Sequence, residues 1–191
     1  MQGRNQSKKE VSNSTLLKIE VPLRLNTRWY TALQQAFLSA GIPVNWQSGG
    51  FHVTVLFMYD DTQKDTLKAI FDHIISHHDA PELIFDKLNA FTGKKSGKHI
   101  VNLTSTNPSH EYSSLIKELR TAAIEAGAKL EDYRLHVTLG RIHGVRASLD
   151  TVQKILSSVR LDSFSVILKN TIFKYLDGEE IDSWVIGTCD R

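Results

Sequence analysis

Two segments of seven residues share one pattern and lie 84 positions apart in the chain. The first, FHVTVLF, runs from Phe51 to Phe57, and the second, LHVTLGR, runs from Leu135 to Arg141. Each places His-Val-Thr between apolar residues, and this alternation predicts a half-buried strand. The repeat constrains the fold, because it indicates either two equivalent strands or a chance similarity between two core strands.

The order of predicted elements around the two segments is also repeated. Hydrophobic periodicity predicts strand, helix, His-containing strand, helix and strand in the first half, at about 16–25, 27–40, 51–59, 62–78 and 82–91. The second half repeats this order and adds a strand, at about 99–105, 109–127, 134–142, 147–160, 162–176 and 180–188. Such a shared offset indicates an internal duplication. We therefore expect a mixed α/β (α+β) protein with two lobes around a central groove.

The sequence predicts a short tail followed by one domain. Residues 1–13 are polar and are expected to form a disordered tail, followed by a single bilobal domain over 14–191. We expect lobe one at about 14–92 and lobe two at about 97–191. The loop between Asn45 and Gly50 and the turn over 92–98 connect the elements within this domain.

Composition excludes several classes of function. The chain has one cysteine, Cys189, so it forms no internal disulfide and contains no cysteine-based zinc framework. No apolar run approaches the length of a membrane span, and the polar start has no signal-peptide pattern. We expect a cytoplasmic monomer that needs no protein partner. The net charge of +2 is compatible with an anionic ligand.

The two motifs supply groups that suit acid–base chemistry on a phosphate. Residues two apart on a strand lie on the same face, so His52 lies beside Thr54, and His136 lies beside Thr138. One histidine can accept a proton from a nucleophile while the other donates a proton to a leaving group. The threonine hydroxyls can donate hydrogen bonds to phosphate oxygens. This equipment needs neither a metal nor an organic cofactor.

The paired motifs resemble those of the two-histidine phosphoesterase superfamily, in its LigT-like group, the 2'-5' RNA ligases. That group has one His-x-Thr/Ser motif in each lobe of a bilobal fold rich in antiparallel strands. The resemblance covers roughly residues 15–188. It implies that His52 and His136 are the catalytic pair and that Thr54 and Thr138 bind phosphate. Two departures are the leucine at 135, where many relatives have proline, and a final region that matches the group's C-terminal hairpin only loosely.

Three further candidates have competing interpretations. Arg141 could bind phosphate, although strict alternation from His136 directs it to the opposite face unless Gly140 permits a bulge. Trp46 could stack on a base or cap the core. His73 and His77 have the spacing of metal ligands on a helix, but no third ligand accompanies them, so no metal site is expected.

The resemblance implies a metal-independent hydrolase acting on a nucleoside or RNA-terminal 2',3'-cyclic phosphate. The same groups could instead cleave a 2',5' linkage or join RNA ends as a 2'-5' RNA ligase. A non-catalytic nucleotide- or RNA-binding module is a further alternative. Two complete His-x-Thr motifs argue against that module, because binding alone does not require two proton-transfer groups.

Overall fold

A computed structural model describes residues 13–94 and 96–187 of the chain. The polar tail proposed at the N-terminus lies outside these residues except for Asn13, and Cys189 lies outside them as well. No helix in these two ranges is long and apolar enough to cross a membrane.

In the described residues, ten strands and four helices follow the duplicated order. The strands are β1 (Thr15–Glu20), β2 (Asn45–Trp46), β3 (His52–Met58), β4 (Glu82–Phe85), β5 (Lys87–Thr92), β6 (Lys98–Thr104), β7 (Val137–His143), β8 (Phe164–Ile167), β9 (Asn170–Tyr175) and β10 (Glu180–Val185). The helices are α1 (Arg28–Ser39), α2 (Lys64–His77), α3 (His110–Glu125) and α4 (Leu149–Ser158). The mixed α/β fold with antiparallel sheets expected from the sequence is confirmed.

Local signals in the sequence explain where several helices begin and end. The hydroxyl oxygens of Ser109 and Ser148 accept hydrogen bonds from backbone N–H groups in the first turns of α3 and α4. Gly41 and Gly127, at φ of 67° and 90°, follow α1 and α3 in the left-handed conformation that ends helices. The two halves of the chain therefore end their first helices in the same way.

The strand order of the main sheet is nearly symmetric about its centre. Seven of its strands lie in the order β10-β9-β1-β3-β7-β6-β5, and the short β2 pairs with β7. Every pairing is antiparallel. The duplication relates β1 to β6, β3 to β7, and β5 to β9. When each strand is exchanged for its equivalent, the run from β9 to β5 keeps the same order. A pseudo-twofold axis therefore passes between β3 and β7, and the separate β4–β8 pair has the same symmetry.

Each side of the main sheet combines strands from both halves of the chain. β9 and β10, from the second half, pair with β1, whereas β5, from the first half, pairs with β6. The division into lobe one at about 14–92 and lobe two at about 97–191 thus follows the order of elements along the chain. As a description of units in space it remains a proposal.

Two strands predicted as continuous are each interrupted. The stretch predicted at 82–91 forms β4 and β5, and the stretch predicted at 162–176 forms β8 and β9. The reason is a change of sheet, because β4 and β8 pair with each other while β5 and β9 join the main sheet. At Asp86, between β4 and β5, the carboxylate accepts hydrogen bonds from the backbone N–H and hydroxyl of Thr106. The alternation of buried residues changes phase there, from Phe85 to Leu88.

The helices and the apolar face of the sheet form the core. The members of this core are buried aliphatic and aromatic side chains, including Leu17, Ile19, Leu33, Phe37, Val53, Phe71, Leu103, Leu115, Val137 and Phe173. Each such side chain contributes roughly 1.5–3 kcal/mol through its removal from water. With one face of the sheet covered in this way, the polar residues of the two motifs lie on the other face.

Candidate active site

The two His-Val-Thr motifs meet at the centre of the main sheet. Strands β3 and β7 pair only at Val53 and Val137, which are the middle residues of the two motifs and are fully buried. His52 and Thr54, together with His136 and Thr138, point away from this core and are partly exposed. We call the side of the main sheet that carries these four residues the histidine face.

The two histidines make the same hydrogen bond. Nδ1 of His52 lies 2.8 Å from the carbonyl oxygen of Gly50, and Nδ1 of His136 lies 2.9 Å from the carbonyl oxygen of Arg134. A carbonyl can only accept, so Nδ1 carries the proton in both rings. Each neutral imidazole therefore keeps the lone pair of Nε2 for a proton. Within 13–94 and 96–187, no hydrogen bond occupies either Nε2 atom.

Burial and neighbouring cations lower the pKa of both histidines. Desolvation is the largest cause in each case, and the hydrogen bond to the backbone carbonyl opposes it. The charges of Lys18, Lys174 and Arg141 further lower the pKa of His52. Those of Arg134, His52 and Arg141 act on His136. In the absence of an anion, both imidazoles are thus neutral near pH 7, and a bound phosphate would favour the return of a proton.

The threonine hydroxyls are available to a ligand. Thr54 pairs with Lys18 on β1, and Thr138 pairs with Asn102 on β6, so the register places both threonines beside polar neighbours. In the part of the chain that the structure describes, neither hydroxyl makes a hydrogen bond. A phosphate oxygen would satisfy the donor of either group.

A β-bulge follows each motif and changes the direction of later side chains. The extra residue is Val55 in β3 and Leu139 in β7, where the pairing registers with β1 and β6 shift. Beyond the second bulge, Arg141 pairs with Ile100, two residues from the partner of Thr138 on the same strand. Arg141 therefore lies on the histidine face. The strict-alternation expectation, which directed Arg141 to the opposite face, is wrong for this physical reason.

Gly140 permits close packing behind this bulge. A Cβ atom at Gly140 would lie 2.6 Å from Cγ1 of Val44 and 2.9 Å from Cε3 of Trp46. The Trp46 ring packs edge-on against Tyr30 and Phe37 of α1, at centroid distances of 5.8 and 5.7 Å. These contacts correspond to the core-capping interpretation of Trp46. The close approach of β2 leaves no room for a side chain at position 140.

Different donors bind the backbone carbonyls at the two bulges. The carbonyl of Leu139 accepts a hydrogen bond from the backbone N–H of Gln47 at 2.8 Å. The carbonyl of Val55 instead accepts from the guanidinium of Arg120 at 3.0 Å. The same guanidinium donates to the carbonyl of Glu131 at 2.9 Å. Arg120 thereby connects the first motif strand to the segment before His136, a role that helical periodicity alone does not reveal.

Replacing Arg120 with methionine is expected to lower the free energy of unfolding by about 2 kcal/mol. Methionine keeps much of the stem but leaves the carbonyls of Val55 and Glu131 without their charged donor, and unsatisfied buried acceptors are costly. Urea denaturation followed by circular dichroism measures the effect. Arg160→Met is the control, since Arg160 forms an exposed ion pair with Asp162. Equal denaturation midpoints for the two variants would contradict this role.

Several of the remaining histidines have other contacts. The ring of His77 lies 4.4 Å from the ring of His73, and its Nδ1 bonds the carbonyl of His73 at the end of α2. Nitrogen atoms of the buried His99 ring lie 3.0 Å from Oγ1 of Thr92 and 2.9 Å from the carbonyl of Ala147. Among the described residues, no group of three or more His, Cys, Asp or Glu side chains could hold a metal ion.

The fold is similar to several solved structures. Kluyveromyces marxianus Usb1 with uridine monophosphate has a TM-score of 0.60 at 10% identity, covering 91% of this chain and 99% of that chain. E. coli LigT complexed with 3'-AMP has a TM-score of 0.56 at 13% identity, covering 93% and 99%. A further phosphoesterase has a TM-score of 0.52 at 13% identity, covering 92% and 99%. At these identities the similarity concerns the fold.

A fold of this kind with paired His-x-Thr motifs defines the class of two-histidine phosphoesterases, which act on phosphodiester bonds. The family model of the 2'-5' RNA ligase superfamily matches residues 45–169, more than half of the chain, and the chain belongs to that superfamily. The resemblance drawn from the motifs is thereby confirmed. A search of curated proteins finds no match for this chain.

Proposed function

We propose that this protein hydrolyses the 2',3'-cyclic phosphate of a nucleoside or an RNA end by acid–base catalysis with His52 and His136. The observation that carries the proposal is the matched pair of imidazoles, each with Nδ1 bonded to a carbonyl and Nε2 unoccupied. Both rings lie next to the single pairing between β3 and β7. A phosphate placed there would contact two proton-transfer groups and two threonine hydroxyls.

The reaction requires one proton to be accepted and one to be donated. Water attacks phosphorus and gives a proton to Nε2 of the neutral histidine, while the bond from phosphorus to one ribose oxygen breaks. The other histidine, which is protonated before the reaction, gives its proton to that leaving oxygen. The product is a ribose hydroxyl beside a phosphate monoester. From the family resemblance we assign His52 as the acid, His136 as the base, and Thr54 and Thr138 as phosphate ligands. Arg141 lies on the same face of the sheet and is a further candidate for contact with the phosphate.

A panel of substrates with different phosphodiester linkages distinguishes the proposed activity from the related ones. The panel contains 2',3'-cyclic nucleotides, RNA with a cyclic phosphate end and 2',5'-linked oligoadenylate, each incubated with chelator-treated protein. Turnover of cyclic phosphates is the expected result. Preferential cleavage of the 2',5' linkage, or joining of RNA ends, would replace the proposed reaction with one of the alternatives. Binding without turnover of any substrate would identify a non-catalytic module, and loss of turnover on chelation would contradict the metal-independent mechanism.

The pH dependence of the reaction follows from the lowered pKa values. The base must be neutral and the acid protonated, which gives a bell-shaped profile with apparent pKa values that belong to the coupled pair. Because both pKa values lie below the ordinary 6.5 in the free protein, kcat/KM is expected to peak below about pH 6.5. The monoanionic cyclic phosphate raises the pKa values of the histidines in the complex, so the peak of kcat lies at higher pH. Initial rates between pH 4 and 9 measure both profiles, and a kcat/KM peak above pH 8 would contradict the assignment.

A further inference from the structure

The residues immediately before the two motif histidines are held in different ways. In the first half, the carbonyl of Phe51 accepts a hydrogen bond of 2.8 Å from the backbone N–H of Val21. The offset of 84 between the motifs relates Phe51 to Leu135 and Val21 to Ser105. β3 begins at its histidine, whereas β7 begins one residue after its own. The second histidine therefore stands just outside the regular strand.

A side chain replaces the backbone donor in the second half. The hydroxyl of Thr104 donates a hydrogen bond of 2.8 Å to the carbonyl of Leu135. In residues 13–94 and 96–187, no backbone N–H is bonded to this carbonyl. Residues 131–136 belong to no strand or helix, so they lack the ladder of backbone hydrogen bonds that fixes a strand. The hydroxyl thus ties the end of this segment to β6.

The strand register places Thr104 beside the second histidine. Leu103 and Val137 pair and are both fully buried, so the next residue of β6, Thr104, lies on the histidine face. The offset of 84 relates Thr104 to Glu20, which pairs directly with His52. An ionised carboxylate cannot donate to a carbonyl, whereas a threonine hydroxyl can. Only the second half can therefore use this position to hold the residue before its histidine.

The hydrogen bond from Thr104 reaches the imidazole through two successive carbonyls. The carbonyl of Leu135 accepts from the hydroxyl, and the carbonyl of Arg134 lies 2.9 Å from Nδ1 of His136. A peptide unit is planar, so fixing the carbonyl of Leu135 fixes the plane that ends at Cα of His136. The preceding carbonyl then holds the ring and leaves Nε2 for proton transfer. Rotation of this segment would move that carbonyl away from Nδ1.

We propose that Thr104 is a positioning residue for His136. Its hydroxyl holds the peptide between Leu135 and His136, so that the carbonyl of Arg134 keeps the ring protonated at Nδ1. The proposal rests on the proposed function, in which Nε2 of His136 takes a proton from water. Thr104 acts through the backbone and needs no contact with the phosphate.

Kinetics of two substitutions test this role on the cyclic phosphate substrate. Thr104→Val is expected to lower kcat by roughly 10- to 100-fold, since a displacement of about 1 Å in a reacting group can cost about 100-fold. KM should change less than about twofold, because the proposed phosphate ligands, Thr54 and Thr138, remain. Thr104→Ser keeps the hydroxyl and should restore kcat to within about threefold of the unaltered protein. Denaturation curves identify a temperature at which every variant is folded.

The neighbouring serine provides a matched control. Ser105 is buried, and its hydroxyl oxygen has no hydrogen-bond partner among the described residues. Ser105→Ala therefore removes a hydroxyl one position away without removing a hydrogen bond, and kcat should be unchanged. Equal losses of kcat in Thr104→Val and Thr104→Ser would overturn the proposal, because the hydroxyl would then not be the cause.

The tautomers of the two imidazoles give a readout that does not depend on turnover. Long-range ¹H–¹⁵N NMR spectra of the full chain are recorded near pH 8, where both rings are neutral because their pKa values are lowered from 6.5. The single substitutions His52→Ala and His136→Ala assign the signals. In the unaltered protein and in Thr104→Ser, both rings should be protonated at Nδ1. In Thr104→Val, His136 alone should become a mixture of tautomers.

The outcomes separate positioning from the proposed activity. An unchanged tautomer of His136 in Thr104→Val would overturn the positioning role, and so would equal changes in both rings, which indicate a general loosening of the sheet. If the unaltered protein hydrolyses no cyclic phosphate, the proposed function fails. The NMR comparison then still decides whether the hydroxyl of Thr104 holds the His136 ring.

Discussion

Replacing His52 or His136 with alanine is expected to lower kcat by roughly 10²- to 10⁴-fold on whichever cyclic phosphate the protein hydrolyses. Each imidazole is held by one hydrogen bond at Nδ1 and leaves Nε2 for proton transfer, so each substitution removes one of the two proposed proton-transfer groups. The loss should appear mainly in kcat, because the two threonines and the cations still bind phosphate. Initial rates at saturating substrate measure it.

The double variant extends this prediction. Once one histidine is absent, the other has no complementary partner, and groups that act as a unit are not additive. His52→Ala combined with His136→Ala should therefore cost far less than the product of the two single losses. His73→Ala and His77→Ala serve as matched controls, because these histidines contact each other at the end of α2. Near-full activity in both single variants would leave the repeated motif without a catalytic role.

Replacing Thr54 or Thr138 with valine is expected to lower kcat/KM by roughly 10- to 100-fold. Valine keeps the branched shape that suits a strand and removes only the hydroxyl. A hydrogen bond to a charged group is worth about 1.5–3 kcal/mol, which corresponds to that range. The measurement is kcat/KM with the cyclic phosphate substrate, together with a denaturation curve to verify that stability is unchanged.

A threonine on another strand provides the control for these variants. Thr171 of β9 is buried, and its hydroxyl oxygen has no hydrogen-bond partner among the residues that the structure describes. Thr171→Val should leave kcat/KM unchanged and should not destabilise the protein, since no bond is lost. Equal kinetic effects of all three substitutions would mean that the valine, and not the missing phosphate contact, causes the loss.

Much of the fold could be predicted from the sequence because its signals are local. The apolar stripes of α1 and α3, their terminal glycines and the alternation around His52 and His136 all lie within short windows. The duplicated order follows from those windows once they are compared. Membership of the superfamily could be predicted from the two motifs, since each contains the His-x-Thr pattern, and the family model confirms it.

The features that sequence reasoning missed depend on pairing between distant segments. The bulges at Val55 and Leu139 become visible only against the registers of β1 and β6, and Arg141 changes face for that reason. Arg120 reads as one more polar residue on a helix, although its partners are carbonyls 65 and 11 positions away. A phase change in the apolar pattern between Phe85 and Leu88 is the one local signal that could have indicated the break between β4 and β5.

The exchange of β5 and β9 between the two sides of the main sheet has a consequence for the history of the chain. A single half, with one motif and its own outer strand, would leave that strand to pair with another copy. Two such copies would form a symmetric dimer with reciprocal strand exchange, and each would supply one histidine to a shared centre. Joining them in one polypeptide frees each copy to mutate alone. Phe91 of β5 and Lys174 of β9 stand at matching places, because their strand partners lead to Arg141 and Phe57, which are 84 positions apart. This is a difference that a homodimer encoded by one repeat could never acquire.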